Sequence, residues 1–366
     1  MHNFKHIKRI VIKIGTSTLS TEKGVDTKYI HNLATQVNTL HKQGYQLVIV
    51  TSGAIGMGAA QLNKKERITG IKMRQACAAI GQPLLMQEYR KAFLKYNILT
   101  AQVLLTADVL NNRKTYLNLR NSLEMLLNLG IVPILNENDS VSTEEIGSTF
   151  GDNDRLSAFV ASKIDAQLLI MLSDIDALYD RDPRKYTNAK PIPVVHKITD
   201  KIIKNAGTEG SKHAKGGMKT KIQAASIAAN AGCCMVLADG RDKNIILNII
   251  AGKKIGTIFM PKRKLSQRLR WILNSTAVGT INIDKGALLA LKSKKSLLPS
   301  GIKSVEGEFE AGAVVMLNKK AKAVTSFSSA ELRLLAGKHS TEIIKILGKG
   351  KKDVVAIPEN IIFVDY

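Results

Sequence analysis

Carboxylate and amide side chains are concentrated in one stretch of this sequence. Its first cluster is Asn136–Asp139 and its second is Asp152–Asp154. Such side chains can bind and align a polar ligand, although each cluster alone could equally consist of turn formers and helix caps. Two clusters in close succession after an apolar run favour a binding site over turn chemistry.

Three glycine-containing loops have the composition of anion-binding turns. In chain order they are Lys13–Thr18, Thr51–Gly58 and Lys215–Lys221. Each lies beside a predicted strand end or helix start, where backbone N–H groups can face a phosphate. The first and third loops add lysines, and the first lacks the spacing of a P-loop. For each loop alone, a tight turn or a solvated charge remains an open alternative.

Phosphoryl transfer is the chemistry that best combines these features. It needs lysines and N–H groups around the moving phosphate, and Mg²⁺ on the nucleotide, with little covalent help from the protein. One polar pocket with Asp139, Asn153 and Asp154, together with Lys13 and Lys221, meets these needs. No His or Cys cluster has metal-ligand spacing and no His lies in a Ser-His-Asp-like setting, so covalent hydrolysis is unsupported.

The apolar pattern around these residues predicts alternating strands and helices. Buried strands are predicted at 8–14, 47–50, 98–105, 130–135, 166–172 and 233–237. Helices are predicted at 26–43, 71–96 with an interruption at 81–83, 116–128, 156–162 and 214–232. This alternation implies an α/β fold with a mainly parallel sheet, in which ligands bind outside the carboxyl ends of the strands. The segment Ser173–Pro183 follows one strand end, as either a nucleotide-binding loop or an acidic surface loop.

The pattern changes near residue 260. Beyond it the segments are short and alternating, with strands predicted at 281–284, 303–307 and 313–317 between glycine turns. We therefore expect a main α/β domain over residues 1–260, a linker over 261–279 and a small β-rich domain over 280–366.

Composition agrees with a two-domain protein. The length of 366 residues suggests about two domains. Because 45% of the residues are hydrophobic and only 5% are aromatic, we expect cores of Ala, Ile, Leu and Val. The net charge is +24, and from Pro261 onward 19 Lys and Arg stand against 9 Asp and Glu. Because these lysines are scattered without interleaved aromatic residues, a solvated surface is the default explanation and an anionic ligand the next.

Cysteine usage and hydropathy indicate a cytoplasmic protein. No apolar run approaches the ~18 residues that cross a membrane, and the first residues lack the apolar core of a signal peptide. The three cysteines include no C-x-x-C pair, so a disulfide framework and a zinc knuckle are not expected. Cys233 and Cys234 fit two small core residues better than a vicinal redox pair.

Taken together, five segments resemble the amino acid kinase family, and the C-terminal part resembles a PUA domain. The kinase-like segments are Val11–Ser17, Val50–Ile55, Asn136–Asp139, Phe150–Ala158 and Gly216–Lys221, and the PUA-like segments are Ser296–Val305 and Gly307–Phe309. The resemblance spans nearly the whole chain. It implies a three-layer amino acid kinase fold with a mainly parallel central sheet, followed by a small β-rich PUA-like domain.

Within that family, the segments are most similar to the members that phosphorylate L-glutamate. The resemblance implies ATP-dependent phosphorylation of the γ-carboxylate to γ-glutamyl 5-phosphate, the first step of proline biosynthesis. It implies Mg²⁺ bound with the nucleotide and no metal site of the protein itself. It assigns Ser52, Asp139 and Asn153 to glutamate, with Asp139 at the substrate ammonium.

The same resemblance assigns the catalytic and nucleotide-binding residues. Lys13 and Lys221 act on the transferring phosphoryl group, and Asp154 orients them. The residues along ATP are Lys13, Gly15, Ser173, Asp174, Lys215, Gly216, Gly217, Met218, Lys219, Thr220 and Lys221. One departure concerns Ala214 and Lys215, where the family usually has a small or hydroxyl residue, often after a glycine. Lys215 either adds a phosphate contact or points to solvent.

The resemblance also implies partners. They are proline as a feedback inhibitor at or near the glutamate site, further copies of the chain in a dimer or tetramer, and a glutamyl phosphate reductase that accepts the product. No membrane partner is implied. Two other functions stay open: an acetylglutamate, aspartate, carbamate or uridylate kinase, and an RNA-binding protein that relies on the PUA-like tail. RNA binding could also coexist with kinase activity.

Overall fold

The computed structural model describes residues 4, 7–21, 24–64, 66, 68, 70–106, 109, 112–141, 153–206, 217–262, 264–348, 350 and 353–364. The chain divides into two compact units, Met1–Lys264 and Leu265–Tyr366. This division falls inside the predicted linker 261–279, part of which is a helix of the second unit. The predicted domain bounds themselves stay a prediction.

The strands and helices alternate through the first unit, as the apolar pattern predicts. The strands are β1 (Arg9–Ile14), β2 (Ser20–Thr21), β3 (Gly24–Val25), β4 (Gln46–Val50), β5 (Thr100–Leu105), β6 (Val132–Glu137), β7 (Leu168–Ser173), β8 (Val194–Val195), β9 (Cys234–Asp239) and β10 (Thr257–Phe259). The helices are α1 (Thr16–Leu19), α2 (Thr27–Lys42), α3 (Ala54–Gln61), α4 (Ile71–Leu94), α5 (Arg113–Asn128), α6 (Asn153–Lys163), α7 (Asp200–Ala206), α8 (Met218–Asn230) and α9 (Ile245–Ile250).

Eight strands form one sheet in the order β5-β6-β4-β1-β7-β9-β10-β8. Every neighbouring pair is parallel except β9 with β10, so the predicted mainly parallel sheet is confirmed. The carboxyl ends of β1, β4, β6 and β7 therefore meet at one edge of the sheet. A site built from their loops lies where ligands bind in open α/β sheets.

Alternating side chains of the central strands enter two different cores. On β1, Ile10, Ile12 and Ile14 pack with α2, α4 and α9, whereas Val11 packs with α5, α6 and α8. The helices thus cover both faces, which gives the three layers expected of the fold. Because side chains two apart on a strand share a face, Lys13 lies on the Val11 face, toward α6 and α8.

Helix α4 runs without a break through Gly81-Gln82-Pro83, so the predicted interruption there is wrong. Proline removes one intrahelical N–H and is disfavoured inside helices. The helix continues because its second half buries Leu85, Tyr89 and Phe93 in the core. Each such burial contributes about 1.5–3 kcal/mol, which together outweighs the cost of ~3 kcal/mol for the proline.

Helices α3 and α4 cross so closely that only glycine fits between them. A Cβ on Gly58 would lie 1.9 Å from the carbonyl oxygen of Cys77, and one on Gly81 would lie 1.9 Å from that of Ala54. Gly53, which begins α3, has a φ of +97°, a left-handed conformation that favours glycine. The crossing therefore fixes the loop after β4 against α4.

The second unit is a small β-rich domain, as predicted. Its strands are β11 (Thr280–Ile283), β12 (Ile302–Glu306), β13 (Val314–Leu317), β14 (Ala321–Val324) and β15 (Ile361–Phe363), and its helices are α10 (Gln267–Asn274), α11 (Lys285–Lys292), α12 (Ser329–Leu335) and α13 (Ile343–Leu347). The sheet order is β12-β11-β13-β14-β15, and only β11 with β13 is parallel. Strands β14 and β15 were not predicted.

The second unit has its own core and its own fixed connections. Ile281, Leu317 and Phe327 are fully buried in that core. Lys322 Nζ on β14 donates to the carbonyl oxygens of Leu273 (2.8 Å) and Ser275 (2.6 Å), which ties the end of α10 to the sheet.

Within the part of the chain that the structure describes, no helix combines the length and the apolar content needed to cross a bilayer.

Candidate active site

Three elements of the first unit bring two lysines to one carboxylate. Lys13 comes from β1, Asp154 from the first turn of α6 and Lys221 from α8. Lys13 Nζ lies 2.5 Å from Asp154 Oδ1, and Lys221 Nζ lies 3.1 Å from Asp154 Oδ2. At most 4% of any of these side chains is exposed. Two buried ammonium groups against one carboxylate leave an excess positive charge, which favours the binding of an anion beside them.

The start of α8 adds backbone donors beside these charges. Its N-cap is Gly217, and a Cβ on this residue would meet no atom of the described residues within 4 Å. The first N–H groups of a helix lack intrahelical partners and suit an anion. Thr220 Oγ1 lies 3.0 Å from Asp154 Oδ2, so the hydroxyl also fixes the carboxylate. We refer to Lys13, Asp154, Thr220 and Lys221 as the charged half of the site.

The neighbouring residue, Asn153, belongs to a different set of contacts. Its Nδ2 lies 2.6 Å from the Thr51 carbonyl oxygen, 3.0 Å from Ser52 Oγ and 2.9 Å from Asn136 Oδ1. Among the described residues its Oδ1 has no hydrogen-bond partner, although that atom is buried. An amide oxygen left without a donor suits a ligand that brings an N–H group.

This amide network continues into helix α4. Asn136 Nδ2 donates to Gln82 Oε1 at 2.8 Å, and the Thr51 hydroxyl lies 2.8 Å from the Tyr89 hydroxyl. Gln82 and Tyr89 are seven residues apart, so they share one face of the helix. Burial raises the pKa of the Tyr89 hydroxyl above its ordinary value, so it stays protonated. We refer to Ser52, Asn136 and Asn153 as the amide half of the site.

Four of the residues predicted along a nucleotide, Lys13, Gly15, Ser173 and Asp174, lie at the ends of β1 and β7. The Gly15 N–H donates to the Leu172 carbonyl oxygen at 2.9 Å, and a Cβ on Gly15 would lie 3.2 Å from that oxygen and 3.6 Å from Lys13 Nζ. Ser173 is buried, and its hydroxyl donates to Asp174 Oδ1 at 3.0 Å. Gly15 thus lets the two strand ends and the Lys13 ammonium come close together.

A cavity of about 440 Å³ opens beyond the end of β7. Its walls include apolar residues of the segment after β7 and of the β9–β10 region, among them Ala177, Pro191, Pro193, Ile245 and Ile255. Three carboxylates, those of Asp176, Asp239 and Asp242, also line it. The bidentate contact with Arg241, from Nε to Oδ1 and from Nη2 to Oδ2, lowers the pKa of Asp239, so this carboxylate stays ionised. Apolar walls with a few polar groups are typical of small-ligand pockets.

Six of the fifteen site residues predicted from the sequence come together in these two halves. Lys13, Asp154, Thr220 and Lys221 meet, Ser52 meets Asn153, and Gly15 lies beside Ser173. Met218 is partly buried against the core, whereas Asp174 and Lys219 are exposed. Asp139 lies, partly exposed, in the turn after β6. Lys215 and Gly216, like the departure at Ala214 and the cluster residue Asp152, lie outside the described residues.

The sequence did not single out Gln82 or Tyr89 as part of the site, and it pointed to Thr51 only as one residue of the loop Thr51–Gly58. Gln82 could have been found as a polar residue inside an apolar helical segment. We interpreted the segment 81–83 as a helix break instead. Tyr89 gave no signal, because a hydroxyl on a helix is ordinary.

The vicinal cysteines lie in the core, away from these halves. All three cysteines of the chain are free thiols, and Cys77 and Cys233 are buried. Burial raises the pKa of the Cys234 thiol to about 12, which keeps it protonated and unreactive. Within the described residues, no group of three or more His, Cys, Asp and Glu side chains could hold a metal ion.

Comparison with known proteins assigns the chain to a family. Residues 8–239 match the model of the amino acid kinase family and residues 279–347 match that of the PUA domain. The chain is 45% identical to the glutamate 5-kinase of Methanosarcina mazei, over 98% of this chain and 96% of the relative. It is also 45% identical to the glutamate 5-kinase of Thermoanaerobacter sp., over 98% of both chains.

Among solved structures, the UMP kinase of Bacillus anthracis superposes on 71% of this chain and 98% of its own length. Its TM-score is 0.48 and its sequence is 13% identical, a similarity too low to bear on the assignment. The family models and the near-full-length relatives are sufficient. The chain belongs to the amino acid kinase family, carries a PUA domain, and groups with relatives named glutamate 5-kinase.

Proposed function

We propose that this protein transfers the γ-phosphoryl group of ATP to the γ-carboxylate of L-glutamate, giving γ-glutamyl 5-phosphate and ADP. A carboxylate oxygen of glutamate forms the new bond to the γ-phosphorus, and the bond from that phosphorus to the β,γ-bridging oxygen breaks. The carboxylate is already ionised at neutral pH, so no general base is needed. Alignment and positive charge should therefore carry the catalysis.

The charged half supplies that positive charge. Lys13 Nζ and Lys221 Nζ are held on opposite oxygens of Asp154, at 2.5 and 3.1 Å. In this arrangement the lysines are oriented before the substrates bind, so little reorganisation is needed as charge develops on the phosphoryl oxygens. Asp154 orients the lysines and takes no part in proton transfer. This buried pair of lysines on one carboxylate is the observation that carries the proposal.

The amide half holds the amino acid. Asn153 Oδ1 is buried and has no donor within the described chain, and the α-ammonium of glutamate is the donor that we propose for it. Ser52 offers a hydroxyl beside the same amide, and Asp139 offers a carboxylate for the ammonium. Because Asn153 and Asp154 are consecutive, the amino acid and the phosphoryl group come to lie next to each other.

The nucleotide fits on the other side of the two lysines. The N-terminus of α8 at Gly217 suits the phosphates, because its first N–H groups have no intrahelical partner. The cavity beyond β7 is large enough for a nucleoside and has carboxylates that can accept hydrogen bonds from ribose hydroxyls. Mg²⁺ would arrive on the phosphates, since both oxygens of Asp154 are engaged by lysines, and would neutralise charge on the nucleotide.

A coupled assay for ADP release with Mg-ATP tests this function. L-Glutamate should support turnover, and trapping the product with hydroxylamine should yield the γ-hydroxamate. A matched panel contains N-acetyl-L-glutamate, L-aspartate, carbamate and UMP, which are the substrates of the other kinase classes considered. Turnover on one of these and none on L-glutamate would contradict the proposal.

Proline inhibition can be measured in the same assay. We propose that proline binds at or near the amide half, because the two amino acids share a carboxylate and an ammonium group. Proline should then raise the glutamate KM more than it lowers kcat. An inhibition that added glutamate cannot relieve would place proline elsewhere. The oligomeric state, product transfer to a reductase and RNA binding stay predictions.

A further inference from the structure

Gln82 is a buried polar residue in the apolar core-facing part of α4. Only 8% of it is exposed, and its Oε1 accepts a hydrogen bond from Asn136 Nδ2 at 2.8 Å. Asn136 in turn contacts Asn153, so the three amides form a chain from the helix to the site. Gln82 itself makes no described contact with the charged half.

Backbone groups fix the direction of this chain. The N–H of Glu137 donates to the Asn136 amide at 2.9 Å, so the atom it meets must be the oxygen. The carbonyl oxygen of Thr51 accepts from the Asn153 amide at 2.6 Å, so the atom there must be the nitrogen. Asn136 therefore presents its NH₂ group to helix α4, where the acceptor that it meets is Gln82 Oε1.

The other end of the Gln82 amide argues against a role in stability. Its Nε2 is buried and has no hydrogen-bond partner within the described residues. An unsatisfied buried donor weakens a fold by about 1–3 kcal/mol. The Gln82 oxygen accepts a hydrogen bond from Asn136, whereas its buried nitrogen lowers the stability of the fold. A residue that keeps such an unfavourable group is typical of a functional site.

We propose that Gln82 is a positioning residue of the amide half: by accepting from Asn136 it keeps Asn136 Oδ1 on Asn153, and so keeps Asn153 oriented toward the amino acid substrate. This inference rests on the proposed function, since the substrate is taken to be L-glutamate. Loss of the Gln82 oxygen lets Asn136 turn to another acceptor, and Asn153 then loses one of its three contacts.

The test compares Gln82→Met with a matched control, Gln36→Met. Gln36 on α2 is also buried, and its Oε1 also accepts a single N–H, that of Ile246, at 3.0 Å. Gln36 has no described contact with the amide half. Gln82→Met should raise the glutamate KM about tenfold, which is the effect expected from one lost hydrogen bond. The ATP KM should stay within about twofold of the wild-type value. Gln36→Met should change neither KM.

A double-mutant cycle shows whether Gln82 acts through Asn136. In an Asn136→Ala background, Gln82→Met should add less than about a twofold change in glutamate KM, because the contact it serves is gone. A second full tenfold increase would overturn the positioning role, and so would an unchanged glutamate KM in the single variant.

Wild-type activity separates this inference from the proposed function. If the wild type turns over L-glutamate and Gln82→Met keeps its KM while only losing thermal stability, the inference fails and the function stands. If the wild type does not turn over L-glutamate, the proposed function fails, and the inference that rests on it fails with it.

Discussion

The two halves of the site are adjacent in sequence at Asn153 and Asp154 but are built by different physical means. The charged half depends on formal charge, with two lysines sharing one buried carboxylate. The amide half uses neutral hydrogen bonds between Asn153, Asn136 and backbone groups. Charge acts strongly even when geometry shifts slightly, whereas neutral amides act only at correct distance and direction.

This difference suggests that the charged half contributes mainly to kcat and the amide half mainly to the glutamate KM. A reaction that develops charge on a phosphoryl group gains most from the charged half in the transition state. An amino acid that must be chosen among similar molecules gains most from a fixed pattern of donors and acceptors. Substitutions in the charged half should therefore lower kcat, and those in the amide half should raise the glutamate KM.

The largest effect is expected for Asp154→Asn. The change removes the carboxylate that both Lys13 and Lys221 contact, which should lower the free energy of unfolding of the first unit by about 3–5 kcal/mol and also reduce kcat. Urea unfolding followed by circular dichroism measures the first quantity. Asn153→Ala is the control at the adjacent position. An equal loss of stability in that variant would contradict the predicted difference between the two halves.

Lys221→Ala should lower kcat by about 10²–10³-fold, since one preorganised cation is removed from the transition state. The change in glutamate KM should be much smaller. Steady-state kinetics with both substrates varied give the two values. Lys42→Ala, on the exposed side of α2, is the control for loss of a lysine. A kcat for Lys221→Ala close to that of the control would remove Lys221 from the catalytic residues.

Asn153→Ala should raise the glutamate KM by about 10–100-fold, as expected when one or two buried hydrogen bonds to the substrate are lost. The ATP KM should stay nearly constant, because the charged half is left in place. The same kinetic scheme measures both constants. A fall in kcat at an unchanged glutamate KM would move Asn153 from the amide half to the charged half.

The smallest effect is expected for a change of Lys163, which lies at the other end of α6 from Asp154. Lys163 is buried, and no carboxylate of the described residues pairs with it. Its Nζ lies 2.8 Å from the centre of the Tyr116 ring, and it has no hydrogen-bond partner in the described chain. Burial, with Arg113 and Arg120 nearby, lowers the pKa of Lys163 to about 6. Between that value and the ordinary 10.5, the unfolded chain binds a proton that the folded chain does not.

The cost of burying Lys163 is therefore full below about pH 6 and fades as the pH rises toward 10.5. Lys163→Met should raise the Tm, on the order of 2–4 °C for each kcal/mol recovered, and the gain should be larger at pH 6.5 than at pH 9. Calorimetry at the two pH values measures it. A gain that does not depend on pH would mean that Lys163 keeps its proton in the folded state as well as in the unfolded state.

Sequence reasoning found the charged half more completely than the amide half. Lys13, Asp154 and Lys221 stand in glycine-rich or acidic segments, and these segments together predicted a site. Asn136 stood in the first polar cluster but gave no sign that it would contact Asn153. Gln82 is 54 residues from Asn136 along the chain, and the proline beside it suggested a helix break that does not exist.

The sequence by itself determined the alternating strands and helices, the two-unit organisation and the residues that carry charge, because apolar periodicity and glycine-rich loops are local signals. Only the tertiary structure decided which amides meet. Hydrogen bonds between side chains far apart in the chain depend on how α4 packs against α3 and on which face of the sheet each strand end presents. That packing rests on contacts as close as those of Gly58 and Gly81, and no local pattern encodes them.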